Sequence, residues 1–339
     1  MLENRGLEIE DSISEESGDE LDPVILQPEF LPETRIIHKK CFDCRKFMTN
    51  FAWCQPCETT WFKENYSRWT TGSSVADTFG ISKDTDGCFI FVMRFYENGD
   101  LNQYIENVKD ISWNDKIDLL WGISAGLENI HRSDLYHGNL HGGNVMIEDE
   151  SISTDGRIAD IGIHGLVNVT SNKSYGVIPY IAPEILLGET QSKEADIYSF
   201  SVIMWSLAAG KKPFAERAHD IALTVDICNG VRPKEIENIP KCFSDLMKRC
   251  WAFNPKQRPT AIELNTTFSN WITDICDNQT PTGINEEFSI AEERRSENFQ
   301  IQKNASQETH KDAFYTSRFF DFSELRENLN IPILHYNDV

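Results

Sequence analysis

Residues 136–144 read YHGNLHGGN, residues 159–162 read ADIG, and residues 179–184 read PYIAPE. The first two stretches combine glycine with histidine, asparagine and aspartate, a composition of loops rather than of buried elements. They lie near the middle of a chain of 339 residues, which can hold one large domain or two small ones. Hydrophobic residues make up 40% of the chain, enough for a packed core.

Helices are predicted on both sides of these loops. Before them, Ser112 can cap a helix whose apolar residues share one face and which delivers the chain to His137. After them, an almost wholly apolar helix opens at residues 195–200 (ADIYSF) and ends at Gly210, so we expect it at the centre of the fold. Further helices are predicted over residues 219–229, over residues 240–252 and after Thr260.

A strand is predicted upstream. Residues 88–95 (CFIFVMRF) form a run typical of a buried strand, and residues 80–87 supply a turn before it. Asp100 can cap a short helix that follows.

Two Cys-x-x-Cys pairs, Cys41 with Cys44 and Cys54 with Cys57, lie closer to the N-terminus. Four thiolates at this spacing can converge tetrahedrally on one zinc ion; the alternative is four thiols in a turn-rich segment. Basic residues near the first pair permit nucleic-acid binding, but cations that offset thiolate charge are the simpler interpretation. The total of nine cysteines is odd, which favours a reducing compartment, and we expect a cytoplasmic protein.

Both ends of the chain are polar and acidic. The net charge is -22, and residues 1–34 carry eleven acidic side chains against one basic. This charge makes binding to nucleic acid or to an anionic membrane unlikely, and we expect neither a signal peptide nor a membrane span. The predicted organisation is a disordered acidic tail (1–34), a cysteine segment with a helix (35–75), a main domain (76–276) and a polar, largely disordered tail (277–339). Within the C-terminal tail, residues 314–322 are rich in aromatic side chains. This segment can dock on a partner or pack on its own domain.

Residues of about 80–275 resemble the protein kinase fold, and in particular the tyrosine-kinase-like group of serine/threonine kinases. The order of the motifs carries this resemblance. Residues 137–139 (HGN) stand where the family has His-Arg-Asp, and residues 160–162 (DIG) where it has Asp-Phe-Gly; Asn144, residues 182–184 (APE), residues 196–200 (DIYSF) and Arg258 follow in place. The cysteine segment and residues 315–318 (YTSR) further resemble a large fungal expansion of such kinases.

The resemblance implies an α+β fold with a mainly helical C-lobe. It implies that Asp160 and Asn144 hold magnesium ions that bridge the phosphates of ATP. It also implies that Met93 is the gatekeeper behind the adenine, and that Arg94, Phe95 and Tyr96 form the hinge that binds its edge.

The resemblance also gives structural roles to four further residues, which are His137, Glu184, Asp196 and Arg258. Glu184 and Arg258 are expected to form a buried ion pair, and Asp196 to hold the backbone of the loop that contains His137.

Three departures from the family pattern bear on activity. Asn139 stands where the family has its catalytic aspartate, and an amide cannot take a proton from a substrate hydroxyl. Gly138 replaces the neighbouring arginine. No G-x-G-x-x-G loop or strand lysine precedes Met93, so we expect a truncated or absent N-lobe sheet and an open edge on the strand at residues 88–95.

These observations favour a pseudokinase that works as an interaction module with other signalling proteins. The alternative is an active serine/threonine kinase that uses Mg²⁺ and ATP through Asp160 and Asn144. A third hypothesis, a zinc-knuckle protein that binds nucleic acid, conflicts with the acidity of the chain.

Overall fold

Two antiparallel strands begin the part of the chain that the structure describes. The computed structural model describes residues 76, 78–83, 89–108, 110–150, 153–160, 173–276, 283–302 and 309–321. Strand β1 (Thr78–Lys83) pairs with β2 (Phe89–Met93), with an irregularity between Thr78 and Gly80. The predicted strand is present, but residues 80–83 belong to β1 and not to a turn. Lys83 is the last residue of β1, so the expectation that no strand lysine precedes Met93 is wrong. The strand at residues 88–95 was expected to have an open edge. Because β1 pairs with β2, that expectation is wrong for the edge of β2 that faces β1.

Helices make up most of the remaining structure. The first two are capped as the sequence predicted: the Asp100 side chain accepts from the Gln103 backbone N–H at 3.0 Å, and Ser112 accepts from that of Asp115 at 3.2 Å. The helices are α1 (Leu101–Asn107), α2 (Trp113–Arg132), α3 (Pro183–Leu186), α4 (Lys193–Ala209), α5 (Ile221–Cys228), α6 (Lys241–Cys250), α7 (Ala261–Cys276) and α8 (Gly283–Gln302).

Helix α4 lies at the centre of the helical part, as its apolar composition predicted. Its residues are buried on every side from Ala195 to Leu207, and Phe200 packs against Phe268 of α7 with ring centroids 5.9 Å apart. Gly210 ends the helix in the left-handed conformation, with φ at 61°. Burial on all sides is the reason that this helix needs no polar face.

Short strands and turns position the loops identified in the sequence. Strands β3 (Val145–Glu150) and β4 (Ser153–Ile158) form a hairpin with Val145 opposite Ile158. The turn Gly142–Asn144 precedes β3, and the backbone N–H of Ala159 donates to the carbonyl of Asn144 at 2.9 Å. The ends of the hairpin therefore bring the loop at residues 136–144 close to Ala159 and Asp160.

The C-terminal segment differs from the expectation of a largely disordered tail. It contains helix α8 and strand β6 (Arg318–Asp321), which pairs with β5 (Lys173–Gly176). Helix α8 packs through Phe288 against Trp113 and Trp271, at centroid distances of 5.8 and 5.6 Å. Few of its side chains are apolar and buried, so composition alone gave little sign of it.

Candidate functional site

The loop at residues 136–144 is held from below by one buried carboxylate. Asp196, at the start of α4, accepts hydrogen bonds from the backbone N–H groups of His137 and Gly138 at 2.7 and 2.9 Å. His131 contacts the same carboxylate at 2.9 Å. Hydrogen bonds to a charged acceptor are stronger than those between neutral groups, so this cluster fixes the backbone of the loop.

The His137 ring joins this loop to the backbone at Ala159. Its Nδ1 accepts from the backbone N–H of Asn139 at 3.2 Å, so the ring proton of a neutral imidazole lies on Nε2. Nε2 then donates to the carbonyl oxygen of Ala159 at 2.8 Å. His137 is fully buried, and its place between the loop and Ala159 is structural.

Gly138 occupies a position that favours glycine. Its φ is 75°, in the left-handed region, and a Cβ there would lie 3.3 Å from the ring of Tyr136. The sequence showed only that an arginine of the family pattern is replaced. The structure adds that the chain turns tightly here, and that Gln191 donates to the carbonyl of Gly138 at 3.1 Å.

Asn139 and Asn144 are brought together by the loop. The side-chain nitrogen of Asn144 donates to the carbonyl oxygen of Asn139 at 3.0 Å, and both residues are buried. This contact uses the nitrogen of the Asn144 amide and leaves its side-chain oxygen as the atom suited to a cation.

Asp160 follows directly on Ala159 and adopts a left-handed backbone, with φ at 59°. This conformation is uncommon outside glycine and occurs often at functional sites. The residue as a whole is exposed, yet protein atoms crowd its carboxyl group; this desolvation raises the pKa above the usual range of an aspartate, and His137 opposes the rise.

Arg258 and Glu184 form the ion pair that the resemblance implied. Two guanidinium nitrogens donate to the two carboxylate oxygens at 2.6 and 2.8 Å, and both residues are buried. Arg258 also donates to the carbonyls of Ala252 and Glu194 at 3.0 and 2.9 Å. The pair therefore ties α3 to the turn before α7 and to the start of α4.

The four predicted adenine-site residues lie at the end of β2, but not all face the same way. Arg94 forms an ion pair with Glu148, and Phe95 is 84% exposed. Tyr96 is buried in a small apolar cluster with Ala76 and Ala159, against which Met93 also packs.

Ala76 completes this cluster from the N-terminal side. Its backbone N–H donates to the carbonyl oxygen of Ile158 at 2.8 Å, and the residue is 2% exposed. Ala76 thus belongs to one buried cluster with Tyr96 of the predicted hinge and with Ala159, the residue before the predicted metal ligand Asp160.

The residues present fit ATP and magnesium only in part. Asp160 and Asn144 offer a carboxylate and an amide oxygen, which are the donors that Mg²⁺ prefers. Of the predicted adenine-site residues, Tyr96 is buried with Ala76 and Ala159, and Phe95 is exposed.

Ser317 is not among the site residues predicted from the sequence, yet it lies beside Asn139, the residue that stands where the family has its catalytic aspartate. The side-chain nitrogen of Asn139 donates to its hydroxyl oxygen at 3.0 Å. His141 Nε2 lies 2.7 Å from the same oxygen, and Gly143 donates to the other ring nitrogen, so Nε2 is the donor. The sequence carries no signal for a contact between residues so far apart.

Tyr175 of β5 belongs to the same group. Burial and the nearby Asp160 carboxylate raise the pKa of the Tyr175 hydroxyl above its usual range, and a hydrogen bond with Ser317 opposes the rise. The sequence analysis did not assign this residue to the site.

The predicted zinc ligands Cys41, Cys44, Cys54 and Cys57 lie outside the described residues. Among the residues that the structure does describe, no group of three or more His, Cys, Asp and Glu side chains could hold a metal ion. Helices long and apolar enough to cross a membrane are likewise not found in the described ranges.

Comparison with known proteins identifies the fold. The family described as protein tyrosine and serine/threonine kinase matches residues 68–268. One relative is a protein of Acanthamoeba polyphaga mimivirus that is named as a serine/threonine-protein kinase/receptor. It is 32% identical over 51% of this chain and 11% of its own length. A Dictyostelium discoideum protein named as a probable serine/threonine-protein kinase is 27% identical over 51% of this chain and 10% of its own.

A second Dictyostelium discoideum protein, named as a probable LIM domain-containing serine/threonine-protein kinase, is 23% identical over 60% of this chain and 32% of its own length. The chain spans about a tenth of the length of the first two relatives.

Proposed function

The chain belongs to the protein tyrosine and serine/threonine kinase family, and we propose that within this family it is a pseudokinase that works as an interaction module with other signalling proteins. The observation that carries the proposal is the chemistry of Asn139. This residue stands at the position of the family's catalytic base, buried in a loop whose supports are in place.

An amide at this position cannot perform the proton transfer. Asn139 donates to the Ser317 hydroxyl oxygen at 3.0 Å, but its side chain does not accept a proton at neutral pH. Loss of a general base lowers a rate by about 10²–10⁴-fold.

The nucleotide side of the site supports the same proposal. The sequence before Met93 has no G-x-G-x-x-G loop, the element that covers the phosphates in kinases.

Phosphotransfer by the full chain tests the proposal. We expect transfer from radiolabelled ATP with Mg²⁺ to a serine-rich acceptor protein to equal that of the Asp160→Ala variant, which lacks the proposed metal ligand. Transfer by the unsubstituted chain clearly above that of Asp160→Ala would overturn the proposal. Melting curves of both proteins establish that they are folded to the same extent.

The alternative is an active serine/threonine kinase. The left-handed backbone of Asp160 and its place beside the Asn144 loop favour it, because these two oxygen donors are suited to Mg²⁺. This alternative requires binding of ATP, which at a concentration 100 times Kd stabilises a protein by about 2.7 kcal/mol. A magnesium-dependent rise in melting temperature with ATP would therefore favour it, and we expect none.

We propose that Cys41, Cys44, Cys54 and Cys57 bind one zinc ion, and that the chain is a member of the fungal kinase expansion with this segment. The two Cys-x-x-Cys pairs support the zinc site. The odd total of nine cysteines supports a reducing compartment and hence a cytoplasmic location. We expect metal analysis of the full chain to find one zinc per chain, lost in a Cys44→Ser/Cys54→Ser variant. An equal zinc content in both proteins would contradict the site.

A further inference from the structure

Residues 309–321 lie across the surface of the helical part beside the catalytic loop. The backbone N–H of His310 donates to the carbonyl of Ala215 at 2.8 Å, and that of His219 to the carbonyl of Asp312 at 2.9 Å. Further along, Arg318–Asp321 pairs antiparallel with β5, with Arg318 opposite Gly176 and Asp321 opposite Lys173. The segment is thus bound by backbone hydrogen bonds at two separate places.

Tyr315 is the first side-chain anchor. Its hydroxyl donates to the carbonyl of Pro213 at 2.9 Å, and its ring meets that of His219 edge-on at a centroid distance of 4.9 Å. The Lys212 ammonium lies 5.1 Å from the centre of the same ring. An aromatic ring that combines a hydrogen bond with ring contacts is a typical anchor of a bound peptide.

Arg318 is the second anchor. Its guanidinium donates to the carbonyl of His219 at 2.5 Å. It also lies over the rings of Phe314 and Phe320, at 4.3 and 4.9 Å from their centres. These contacts align the arginine and the aromatic residues of the segment on one surface.

Between the anchors, Ser317 presents its hydroxyl to the catalytic-loop position. Its oxygen lies 3.0 Å from the side-chain nitrogen of Asn139, 3.3 Å from the Asn139 side-chain oxygen and 2.7 Å from His141 Nε2. These distances lie at or near the range in which a catalytic base must reach the hydroxyl from which it takes a proton. Ser317 therefore occupies the place of an acceptor hydroxyl.

The backbone of the segment supports the same assignment. Extended peptides bind many proteins by adding a strand to an exposed strand edge, with side chains that give specificity. Strand β6 adds to β5 in this manner, and Gly176 of β5 lies so close to the site that a Cβ there would be 3.2 Å from the Asn139 side-chain oxygen.

We propose that residues 309–321 are a tethered substrate mimic that blocks the peptide-binding surface of this chain. Once vacated, the surface binds in trans an extended peptide with an aromatic residue two positions before a serine and an arginine directly after it. The inference rests on the interaction-module function and names its binding surface. A tethered segment reaches a local concentration on the order of millimolar, so it excludes a peptide of the same sequence at micromolar concentration.

Binding of a labelled peptide tests the proposal without nucleotide. A fluorescein-labelled peptide with the sequence of residues 309–321 is titrated with the full chain, and fluorescence anisotropy is recorded. We expect a Tyr315→Ala/Arg318→Ala chain, whose own segment has lost both anchors, to bind this peptide at least about tenfold more tightly than the unsubstituted chain.

Two controls keep the outcome specific. Thr316→Ala changes an exposed residue between the anchors and is expected to bind the peptide as the unsubstituted chain does. A labelled peptide with alanine in place of both anchors is expected not to bind the double variant. If melting shows that the double variant is not folded, Arg318→Glu replaces it.

Equal binding by the unsubstituted chain and the double variant would overturn the proposal, because the surface would then not be blocked. Absence of binding to a folded double variant would also overturn it, because the surface would then not be a peptide site. Neither result bears on phosphotransfer, so a failure here is distinct from a failure of the pseudokinase proposal.

Discussion

The helical lobe, residues 101–276, and the strand pair β1–β2 before it differ in how they are stabilised. The lobe has a continuous core in which residues such as Leu120 and Phe268 have no exposed surface, and a buried ion pair braces it. In the strand pair, Val92 is 44% exposed, and Phe95, which follows, is 84% exposed. Two strands alone bury little apolar surface and are marginally stable.

The same difference separates the two halves of the candidate site. The loop supports and the buried ion pair belong to the helical lobe, and so does strand β5, with which the C-terminal segment pairs. The predicted hinge follows the strand pair, and its Tyr96 is buried in one small cluster with Ala76 and Ala159. The two halves of the candidate site therefore rest on regions of different stability, the catalytic-loop half on a large core and the hinge half on two strands.

The largest effect is expected from loss of the buried ion pair that stabilises the helical lobe. In Arg258→Met the Glu184 carboxylate stays buried without its partner, and we expect the free energy of unfolding to fall by about 3–5 kcal/mol. Urea denaturation followed by tryptophan fluorescence measures it. The matched variant Arg249→Met, at an exposed position of α6, should change it by no more than about 0.5 kcal/mol. Similar losses in both variants would show that the ion pair is not the brace.

A pair of truncations compares the two regions directly. Leu120→Ala removes a side chain with no exposed surface and should lower the free energy of unfolding by about 2–5 kcal/mol. Val92→Ala removes methyl groups from a largely exposed strand position and should change it by about 0.5 kcal/mol or less. The measurement is again urea denaturation. A Val92 effect as large as that of Leu120 would mean that the strand pair belongs to the same cooperative core.

Most of the helical lobe could be predicted from the sequence because its signals are local. Asp100 and Ser112 cap the helices they precede, and Gly210 ends α4 in the left-handed conformation. The ion pair of Glu184 with Arg258 could be inferred from motif order, which places two residues far apart in the chain at one point.

Long-range contacts explain what the sequence did not predict. Residues 80–83 were expected in a turn because glycine and polar residues surround them, but pairing with β2 makes them a strand. Ser317 reaches Asn139 only because β6 pairs with β5, and no periodicity in either segment encodes that register. Helix α8 was missed since its amphipathic pattern is weak.

A smaller effect is expected at the contact between the tail segment and the catalytic loop. Ser317→Ala removes the hydroxyl that accepts from His141 and Asn139, and we expect a local loss of about 0.5–1.5 kcal/mol. Amide hydrogen exchange of Arg318–Asp321 measures it, because opening of this strand precedes exchange. Thr316→Ala, one residue earlier and exposed, is the matched control. Exchange as slow in Ser317→Ala as in the unsubstituted chain would show that the hydroxyl does not hold the segment.

The smallest expected effect is a pH dependence of the same contact, through His219. Burial lowers the pKa of this imidazole below its usual range, and hydrogen bonds to the carbonyls of Phe314 and Phe214 oppose that shift; Arg318 lowers the pKa further, and Asp220 raises it. The backbone N–H of Phe314, in the bound segment, donates to Nδ1 of His219 at 3.2 Å, and this contact together with burial favours the neutral ring. When the segment leaves and the ring is exposed to water, the pKa returns toward about 6.5.

The direction of the pH dependence follows from this difference in the pKa of His219. Above the pKa of the exposed ring, His219 is neutral whether the segment is bound or released, and binding of the segment is at full strength. As the pH falls through about 6.5 the released state takes up the proton first, so binding weakens until the pH drops below the lowered pKa. We expect the opening free energy of Arg318–Asp321, from amide exchange corrected for intrinsic rates, to decrease from about pH 7.5 to about pH 5.5. In His219→Gln this decrease should disappear, because glutamine does not titrate; a decrease of the same size in that variant would assign the pH dependence to another group.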